Sequence, residues 1–503
     1  MINLDKLGAL DAGFLYNESD RSPQHVASLQ IMELPAGVEA KPFVDGLKRF
    51  LLQRIHLVPY LTNKLQMVPF ALDHPVWIRD AEFSIDNHVY TDTVSAPGGR
   101  RQLEEKVAEL HSQVMDRSKP LWEIYVLTGL EGGRIAYYNR VHHACMDGMA
   151  GQAATQLLMD TTPSPVNEPM VPDGFFTGHS QLSLGAMFAS SFENFVKFQI
   201  KQPLAWMTNL ETAARLLQRT LDPHKGLGAV LQPAPKTPFN RAVQAKRSYA
   251  TGEIDLAEIK ALGKNKEGEN NGATINDLFL AVCSGGLRRY LARRGDLPKR
   301  SLIAGCPVSL RRPGDTDMDN KVTMMQVTLA TDEADPAKRL TRIAQSAQTA
   351  KGFVADLAEG YDPDVSYPGM PGLMTRGAQM LERSGLLDVA EIPFNVVVSN
   401  VPGPKKTLYS NGAKMLTHFP VSIPAHTMGV NITVQSYAGV LYFSVTACAR
   451  ALPNPSALID DMLIAFTELQ AQLGSKLPVM VHESLGKTAR KAPEIGTETV
   501  RAA

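Results

Sequence analysis

The most informative stretch of this sequence is Val141-His142-His143-Ala144-Cys145-Met146-Asp147-Gly148. It follows a strand-like run, Arg134 to Val141, and precedes an alanine- and leucine-rich run that predicts a helix. A turn between a strand and a helix holds a polar side chain rigidly and still exposes it to a cleft. Histidine is well suited to accept a proton near neutral pH. The stretch therefore predicts an α/β fold with histidine chemistry at the end of a strand.

Two interpretations of the role of the histidine pair remain open. A metal ion shared by His142 and His143 is disfavoured, because neighbours on an extended chain point to opposite faces, and the sequence contains no HExxH motif. The pair is then either buried and hydrogen-bonded in a core, or it includes a general base. Cys145 is either a nucleophile beside a histidine or a small buried apolar side chain.

Asp147 has two compatible roles. It stands directly before the predicted helix, where an aspartate caps the first free backbone N–H groups. A buried aspartate paired with an arginine would also fix the loop that orients the histidine. Neither role makes Asp147 an acid or a base in a reaction.

Composition excludes several classes of protein. The 503 residues contain 51 basic and 51 acidic side chains, so the net charge is zero, which argues against a nucleic-acid binder with a basic surface. Four scattered cysteines are too few for a disulfide scaffold or a zinc module, and they favour a reducing compartment. The charged N-terminal stretch does not resemble a signal peptide, and no run of 18 apolar residues exists. We therefore expect a cytoplasmic protein that does not span a membrane.

Hydrophobic periodicity predicts elements along most of the chain. Helices are predicted over Pro42–Leu51, Gln102–Asp116, Thr274–Arg293, Ala337–Lys351 and Pro455–Leu473. Strands are predicted over Val26–Leu34, Pro120–Leu127, Arg134–Val141, Leu302–Val308, Val322–Leu329, Phe394–Ser399, Gly429–Ser436 and Val440–Thr446. This alternation predicts two α/β halves with a binding cleft between them.

Proline-rich stretches suggest the domain boundaries. Thr161 to Pro172 and Asp222 to Asn240 each contain four prolines and are typical of linkers. We predict an N-terminal domain over residues 1–175, a helical segment and linker over 176–240, a C-terminal domain over 241–480, and a disordered tail over 481–503.

The stretch around His143 resembles the HHxxxDG motif of the bacterial wax ester synthase/acyl-CoA:diacylglycerol acyltransferase family, which belongs to the CoA-dependent acyltransferase superfamily. Further motifs of that family follow in its order, and the resemblance extends from about Leu7 to Leu473. They are Leu10-Asp11-Ala12-Gly13-Phe14-Leu15, His25 to Leu29, Pro120-Leu121-Trp122, Asn276-Asp277, Pro307 to Arg311, Ser399 to Pro404 and Asn411 to Lys414.

The resemblance implies two chloramphenicol-acetyltransferase-like domains with an active-site tunnel at their interface. It implies transfer of a long acyl chain from acyl-CoA to a fatty alcohol or a diacylglycerol, by direct attack of the alcohol. His143 would be the general base, His142 would support it, Asp147 would orient the loop, and Gly148 completes the motif. No metal or other cofactor is expected, and acyl-CoA is a substrate.

An oxyanion donor is also required for this reaction. Candidates by position for the oxyanion or the tunnel wall are Asn276, Ser399, Asn431 and Thr433.

Several motif residues also have structural interpretations. Thr274 and Asp277 fit a capping box at the start of a helix. Trp122, with Pro120 and Leu121, belongs to a strand and is either core or a wall of the acyl channel. Ser399 to Pro404 is a strand end and turn that would shape the tunnel floor. Arg311 and Arg312 would either contact CoA phosphates or pair with Asp315 and Asp317.

One segment could contact lipid. Ser183 to Leu221 is long, predicted helical, kinked at Pro203 and apolar near its start, so it either lies on a membrane or lipid droplet, or packs on the second domain. Ser422 to Gly429 matches no motif of the family, so acceptor preference could differ here. Three alternatives stay open: acylation of another lipid or a carrier-bound substrate, a lipid-binding protein without activity, and a Cys145 acyl-enzyme.

Overall fold

The fold is taken from a computed structural model. It describes residues 6–164, 169–175, 182–194, 196–197, 233–263, 272–311, 319–358 and 370–473. Among the described helices, none combines the length and the apolar character that crossing a membrane requires.

The helices and strands alternate along the chain. The helices are α1 (Ala9–Asn17), α2 (Ala40–Leu52), α3 (Arg100–His111), α4 (Gly148–Leu158), α5 (184–194), α6 (Leu256–Leu262), α7 (Ile275–Arg294), α8 (Pro336–Ala358), α9 (Met370–Ser384) and α10 (Pro455–Leu473). The strands are β1 (His25–Glu33), β2 (Asn63–Gln66), β3 (Val76–Arg79), β4 (Val89–Thr93), β5 (Trp122–Thr128), β6 (Ile135–His142), β7 (Arg247–Asp255), β8 (Ile303–Ser309), β9 (Val322–Thr328), β10 (Val396–Val401), β11 (Tyr409–Ser410), β12 (Ala413–Met415), β13 (Phe419–Val421), β14 (Val430–Tyr437) and β15 (Val440–Cys448).

The first large sheet carries the histidine pair. Its strand order is β11-β12-β1-β6-β5-β4, and β13 also pairs with β1. The central strands β1 and β6 are antiparallel, with His25 opposite His142 and Ser28 opposite Asn139. Because side chains alternate along a strand, Ser28 and Asn139 face the same side of this sheet.

The second large sheet has the order β7-β15-β14-β10-β8-β9. Its three central strands β8, β10 and β14 run parallel, so the end of β10 points to the same edge as the ends of its neighbours. Helices α7, α8 and α10 pack together beside it. The contact between α7 and α10 is close, because a Cβ atom on Gly285 would lie 2.5 Å from the Cβ of Ala465. Only a glycine allows this approach.

A buried hydrogen-bonded pair and an exchange of strands are among the features that join the sheets. Glu104 on α3 accepts hydrogen bonds from the backbone and the hydroxyl of Thr251 on β7, at 2.8 and 2.6 Å, and both residues are buried. In addition, β11, β12 and β13 come from the C-terminal half of the chain and pair with the N-terminal sheet. They cover the edge of β1, which would otherwise expose unpaired backbone groups. The predicted domain boundary at residue 241 therefore does not separate the two sheets completely, because the segment Tyr409–Val421 follows it in the chain but belongs to the N-terminal sheet.

The predicted elements are present, with shifts at their ends. The helix predicted over Pro455 to Leu473 has those bounds. The helix predicted to reach Asp116 ends at His111, because the Ser112 hydroxyl bonds back to the carbonyl of Ala108 and accepts from Arg247. Helix α7 begins with the predicted capping box of Thr274 and Asp277.

Some predictions lie partly or wholly outside the described residues. Of the segment Ser183 to Leu221, residues 184–194 are helical as predicted, and Pro203 lies beyond the described part. The tail over 481–503 and much of the second linker lie outside it too.

Candidate active site

The two neighbouring histidines face different surroundings. Strand β6 ends at His142, whose Nε2 lies 3.3 Å from Oε1 of Glu18 and whose Nδ1 accepts from the backbone of Ala144 at 3.1 Å. Arg117 binds the other oxygen of Glu18 at 2.7 Å. Burial alone would raise the pKa of Glu18, but its close approach to His142 and the charge of Arg117 lower it to about 2. His142 thus contacts Glu18 and the backbone of the turn, and it is not part of the cavity lining.

His143 faces a cavity between the two sheets. Its imidazole stacks on the ring of Phe14, with centroids 4.0 Å apart and planes 2° apart. Burial lowers the pKa of His143 to about 4, so the ring is neutral at pH 7. A neutral imidazole has a free lone pair and can accept a proton.

The backbone of His143 is held from two sides. Its N–H donates to the carbonyl of Gln24 at 2.9 Å. Its carbonyl accepts from Nδ2 of Asn320 at 2.6 Å, and the same amide donates to Oδ1 of Asp11 at 2.6 Å. Burial raises the pKa of Asp11 to about 7. Since Asp11 and Phe14 both belong to α1, this helix helps to position both the backbone and the ring of His143.

Asp147 caps α4 and pairs with an arginine. Its Oδ1 accepts from the backbone of Ala150 at 2.8 Å. Its Oδ2 accepts from Nη2 of Arg311 at 2.9 Å and from the backbone of Lys321 at 3.3 Å. The helix cap and the arginine partner expected for Asp147 are therefore both present, and the arginine comes from the C-terminal half. Arg311 is engaged with Asp147, whereas Arg312, Asp315 and Asp317 lie outside the described residues.

Gly148 lies close to the C-terminal sheet, at the start of α4. A Cβ atom at this position would lie 3.1 Å from Cγ2 of Val401, at the end of β10. Ser399 and Val401 both line the cavity, as expected for a floor made by Ser399 to Pro404. The small residue lets the histidine turn and this floor meet.

The oxyanion candidates differ in their placement. Ser399 and Thr433 line the cavity. The hydroxyl of Thr433 donates to Oδ1 of Asn431 at 2.8 Å, and Asn431 donates to the carbonyl of Ile423 at 3.2 Å. Among the described residues, Asn276 and Asn431 are not part of the cavity lining. This leaves Ser399 and Thr433 as the members of the set that a substrate in the cavity would meet.

The cavity has a volume of about 250 Å³ and is lined by both apolar and polar side chains. Helices α2 and α4 contribute apolar side chains, among them Leu47, Leu51 and Leu158. The strands contribute both apolar and polar side chains. Trp122 contributes to the lining and to the core, because it is buried, donates from Nε1 to the carbonyl of Leu61 at 2.8 Å and stacks on His88.

Models of two domains of one protein family match this chain. The wax ester synthase/diacylglycerol acyltransferase catalytic domain matches residues 7–279, and the WS/DGAT C-terminal domain matches residues 318–470. The chain belongs to the wax ester synthase/diacylglycerol acyltransferase family. The resemblance seen in the sequence motifs is thereby confirmed.

Individual members of the family cover nearly the whole chain. The O-acyltransferase WSD of Acinetobacter baylyi is 31% identical over 461 residues, which is 91% of this chain and 95% of that protein. A Mycobacterium tuberculosis protein provisionally named a diacylglycerol O-acyltransferase is 32% identical, over 93% and 98% of the two chains. The solved wax ester synthase/diacylglycerol acyltransferase of Marinobacter aquaeolei VT8 has a TM-score of 0.65 and 26% identity, and covers 93% of this chain and 100% of its own. The predicted two-domain, chloramphenicol-acetyltransferase-like fold is thus confirmed.

Sequence patterns did not identify every residue around the histidine of this WS/DGAT member. Asp11 and Phe14 stand three residues apart in the N-terminal motif, which is the spacing of one helix face, but nothing local indicated contact with His143. No sequence pattern indicated that Glu18 or Asn320 lies beside the histidine pair. Cys145 is buried, and burial raises the pKa of its thiol, so the thiolate that a nucleophile needs is disfavoured. Within the described residues, no group of three or more metal-binding side chains converges.

Proposed function

We propose that His143 is the general base of this acyltransferase. As a member of the WS/DGAT family, the chain is an O-acyltransferase. The single observation that supports the role of His143 most directly is a neutral imidazole, stacked on Phe14, in the lining of a largely apolar cavity between the two sheets. A fatty alcohol or a diacylglycerol would place its hydroxyl against this ring, and acyl-CoA would place its thioester beside it.

The proposed reaction is balanced without a further group. The acceptor hydroxyl gives its proton to His143 while its oxygen forms a bond to the thioester carbon. The tetrahedral oxyanion then collapses, the carbon–sulfur bond breaks, and the CoA sulfur takes the proton from His143. These steps account for every proton and electron pair without a metal, a redox cofactor or an acyl-enzyme on Cys145.

Ser399 is our candidate for the oxyanion donor. It stands at the floor of the cavity on β10, next to the close contact of Gly148 with Val401. Thr433 lines the same region, but its hydroxyl already donates to Asn431. A preorganised donor at the developing oxyanion is commonly worth about 10²- to 10³-fold in kcat. We therefore expect Ser399→Ala to lower kcat within this range and to leave the KM for acyl-CoA nearly unchanged.

We further propose peripheral contact with a membrane or a lipid-droplet surface. Helix α5 exposes large apolar side chains, among them Phe192 at 69% exposure. The carbonyl of Leu182, just before α5, accepts a hydrogen bond from Gln66 at 3.1 Å, and four residues after Gln66 the side chain of Phe70 is 87% exposed. An interfacial helix buries such side chains in the lipid boundary. Flotation with lipid vesicles should weaken in a Phe70→Ser, Phe192→Ser double variant.

The activity is tested by CoA release from palmitoyl-CoA with hexadecanol, with a diacylglycerol and without acceptor. Acceptor-dependent release that His143→Ala abolishes, in a protein whose unfolding is unchanged, supports the proposal. His426→Ala is the matched control, since among the described residues this histidine is not part of the cavity lining. Release that persists in His143→Ala would overturn the role of His143.

A further inference from the structure

The cavity follows strands β1 and β6, and its lining on these strands stops at one residue pair. On β6, Asn139 and Tyr137 line the cavity two residues apart, which is the spacing of one strand face. The residue opposite Tyr137 on β1 is Gln30, which also lines the cavity. The next pair on this face is Met32 with Ile135; both are buried, and among the described residues neither belongs to the lining. Along these two strands the cavity therefore ends at Gln30 and Tyr137.

Helix α4 runs from the histidine turn towards the same end. It begins directly after the turn, and Leu158, its last residue, lines the cavity. Two residues later, Asp160 pairs with Tyr409 on β11. Strand β11 pairs with β12, which in turn pairs with β1 at Met32. Since Met32 lies just beyond Gln30, the C-terminal end of α4 lies at the closed end of the cavity.

These elements set the distance from the catalytic histidine to the closed end. Tyr137 precedes His143 by six residues, which corresponds to roughly 20 Å of extended strand. The ten residues from Gly148 to Leu158 correspond to roughly 15 Å of helix. An extended hydrocarbon chain advances roughly 1.2 Å per bond, so the cavity holds about 12–16 carbons in a straight chain.

Tyr137 is the bulkiest side chain at the closed end. It is 2% exposed, and its ring lies beside that of Phe43 on α2, with centroids 6.4 Å apart and planes 25° apart. Phe43 is also buried. A shift of the tyrosine ring would therefore displace α2, so the closed end is a fixed wall.

The charged side chains of the lining are paired. Glu123 and Arg140 contact each other at 2.6 Å, and Asp147 is bound by Arg311. Burial lowers the pKa of His418 to about 3, so this ring is neutral at pH 7. Among the described residues of the lining, a hydrocarbon chain thus meets no unpaired charge, which would be costly to desolvate.

We propose that Tyr137 limits the length of the hydrocarbon chain that this cavity accepts to about 12–16 carbons. The inference rests on the proposed function and adds a specificity-determining residue to the same site. The chain belongs either to the acyl group of the donor or to the acceptor alcohol, since both start at His143. A longer chain would have to bend or leave its end in solvent, and it would gain no further contact.

The first experiment uses the full-length wild-type protein and measures kcat/KM by CoA release. One arm varies the saturated acyl-CoA from 8 to 20 carbons with hexadecanol. The other varies the primary alcohol over the same lengths with palmitoyl-CoA, and all lipids stay below their critical micelle concentrations. Each methylene that enters the cavity should raise kcat/KM by about fourfold. In the arm whose chain occupies the cavity, this rise should stop at about 12–16 carbons.

Variants of β6 test whether Tyr137 sets this limit. Tyr137→Ala removes a ring that extends roughly 5 Å beyond Cβ, so the limit should move to chains about four carbons longer. Tyr137→Phe keeps the ring and should keep the wild-type limit. Tyr138→Ala is the matched control, because Tyr138 is also a buried tyrosine, lies on the opposite face of β6 and, within the described part of the chain, does not line the cavity.

Ala154→Leu tests the same cavity from α4 and decides the question if Tyr137→Ala does not fold. Ala154 lines the cavity six residues after Gly148, roughly 9 Å along the helix. The larger side chain should therefore move the limit to about 6–8 carbons. Chemical denaturation shows which variants are folded.

The outcomes separate the inference from the proposed function. The arm in which Tyr137→Ala or Ala154→Leu moves the limit identifies the substrate whose chain occupies the cavity. The inference is overturned if neither arm shows a limit near 12–16 carbons, if folded Tyr137→Ala leaves the limit unchanged, or if Tyr138→Ala moves it equally. Where Tyr137→Ala does not fold, an unchanged limit in Ala154→Leu overturns it. Absence of His143-dependent turnover with palmitoyl-CoA and hexadecanol would instead refute the proposed function.

Discussion

The ion pair between Arg311 and Asp147 joins the two halves of the chain at the catalytic loop, and its removal is a demanding test of the structure. Asp147 is 6% exposed and contacts Arg311 at 2.9 Å. Removing one partner of a buried pair costs about 3–5 kcal/mol, because the remaining charge is buried without compensation. Two backbone N–H groups, of Ala150 and Lys321, still bind the carboxylate. We therefore expect Arg311→Met to lower the free energy of unfolding by about 3 kcal/mol.

A double-mutant cycle isolates the pair. Asp147→Asn keeps an oxygen that can cap α4 but removes the charge that makes the loss of Arg311 expensive. In the Asp147→Asn background, Arg311→Met should therefore cost about 2 kcal/mol less than in the wild type. Chemical denaturation of the four proteins at pH 7 measures this difference.

The kinetic effect distinguishes a positioning arginine from a phosphate contact. If Arg311 acts through the loop, Arg311→Met misplaces His143 and lowers kcat by about 10- to 100-fold, with little change in the KM for acyl-CoA. The reasoning is refuted by a coupling energy near zero, or by a raised KM for acyl-CoA at constant kcat, which would return Arg311 to the CoA phosphates.

Three further predictions concern other residues near the site. Cys145→Ala should retain most of the activity, since the thiol takes no part in direct transfer; a loss as large as that of His143→Ala, measured by CoA release, would point to an acyl-enzyme. The methyl group added by Gly148→Ala would lie 3.1 Å from Val401. We therefore expect Gly148→Ala to lower the free energy of unfolding by about 1 kcal/mol less in a Val401→Ala background than in the wild type. Denaturation of the wild type, the two single variants and the double variant measures this difference. Because burial raises the pKa of Asp11 to about 7, folding takes up a proton between pH 4 and pH 7, and the stability present below pH 4 is lost as the pH rises towards 7. We expect Asp11→Asn to remove this pH-dependent part of the free energy of unfolding, which is worth about 4 kcal/mol. Equal pH profiles of unfolding for both proteins would contradict the assignment.

The local elements could be predicted because their causes are local. The capping box of Thr274 and Asp277 involves residues three apart, and the cap of α4 by Asp147 involves the helix that follows it. Strand and helix periodicity act over a few residues, so β6, α7 and α10 appear where the pattern indicates them.

The surroundings of His143 could not be predicted in the same way. Asn320 contacts the carbonyl of a residue 177 positions away, and Arg311 reaches Asp147 over 164 positions. The segment Tyr409–Val421 joins the N-terminal sheet because β1 has an edge to cover, which depends on the assembled sheet. No pattern within a short window carries such information.

The sequence by itself determined the family, the two α/β halves and the histidine turn, since motifs and periodicity are properties of neighbouring residues. The alternation of side chains along an extended chain also predicted that His142 and His143 point to opposite faces. Only the tertiary structure decided that Arg311 is the partner of Asp147 and that Phe14 and Asn320 hold His143. The physical reason is that burial, ion pairing and desolvation depend on which distant segments meet, and folding brings those segments together.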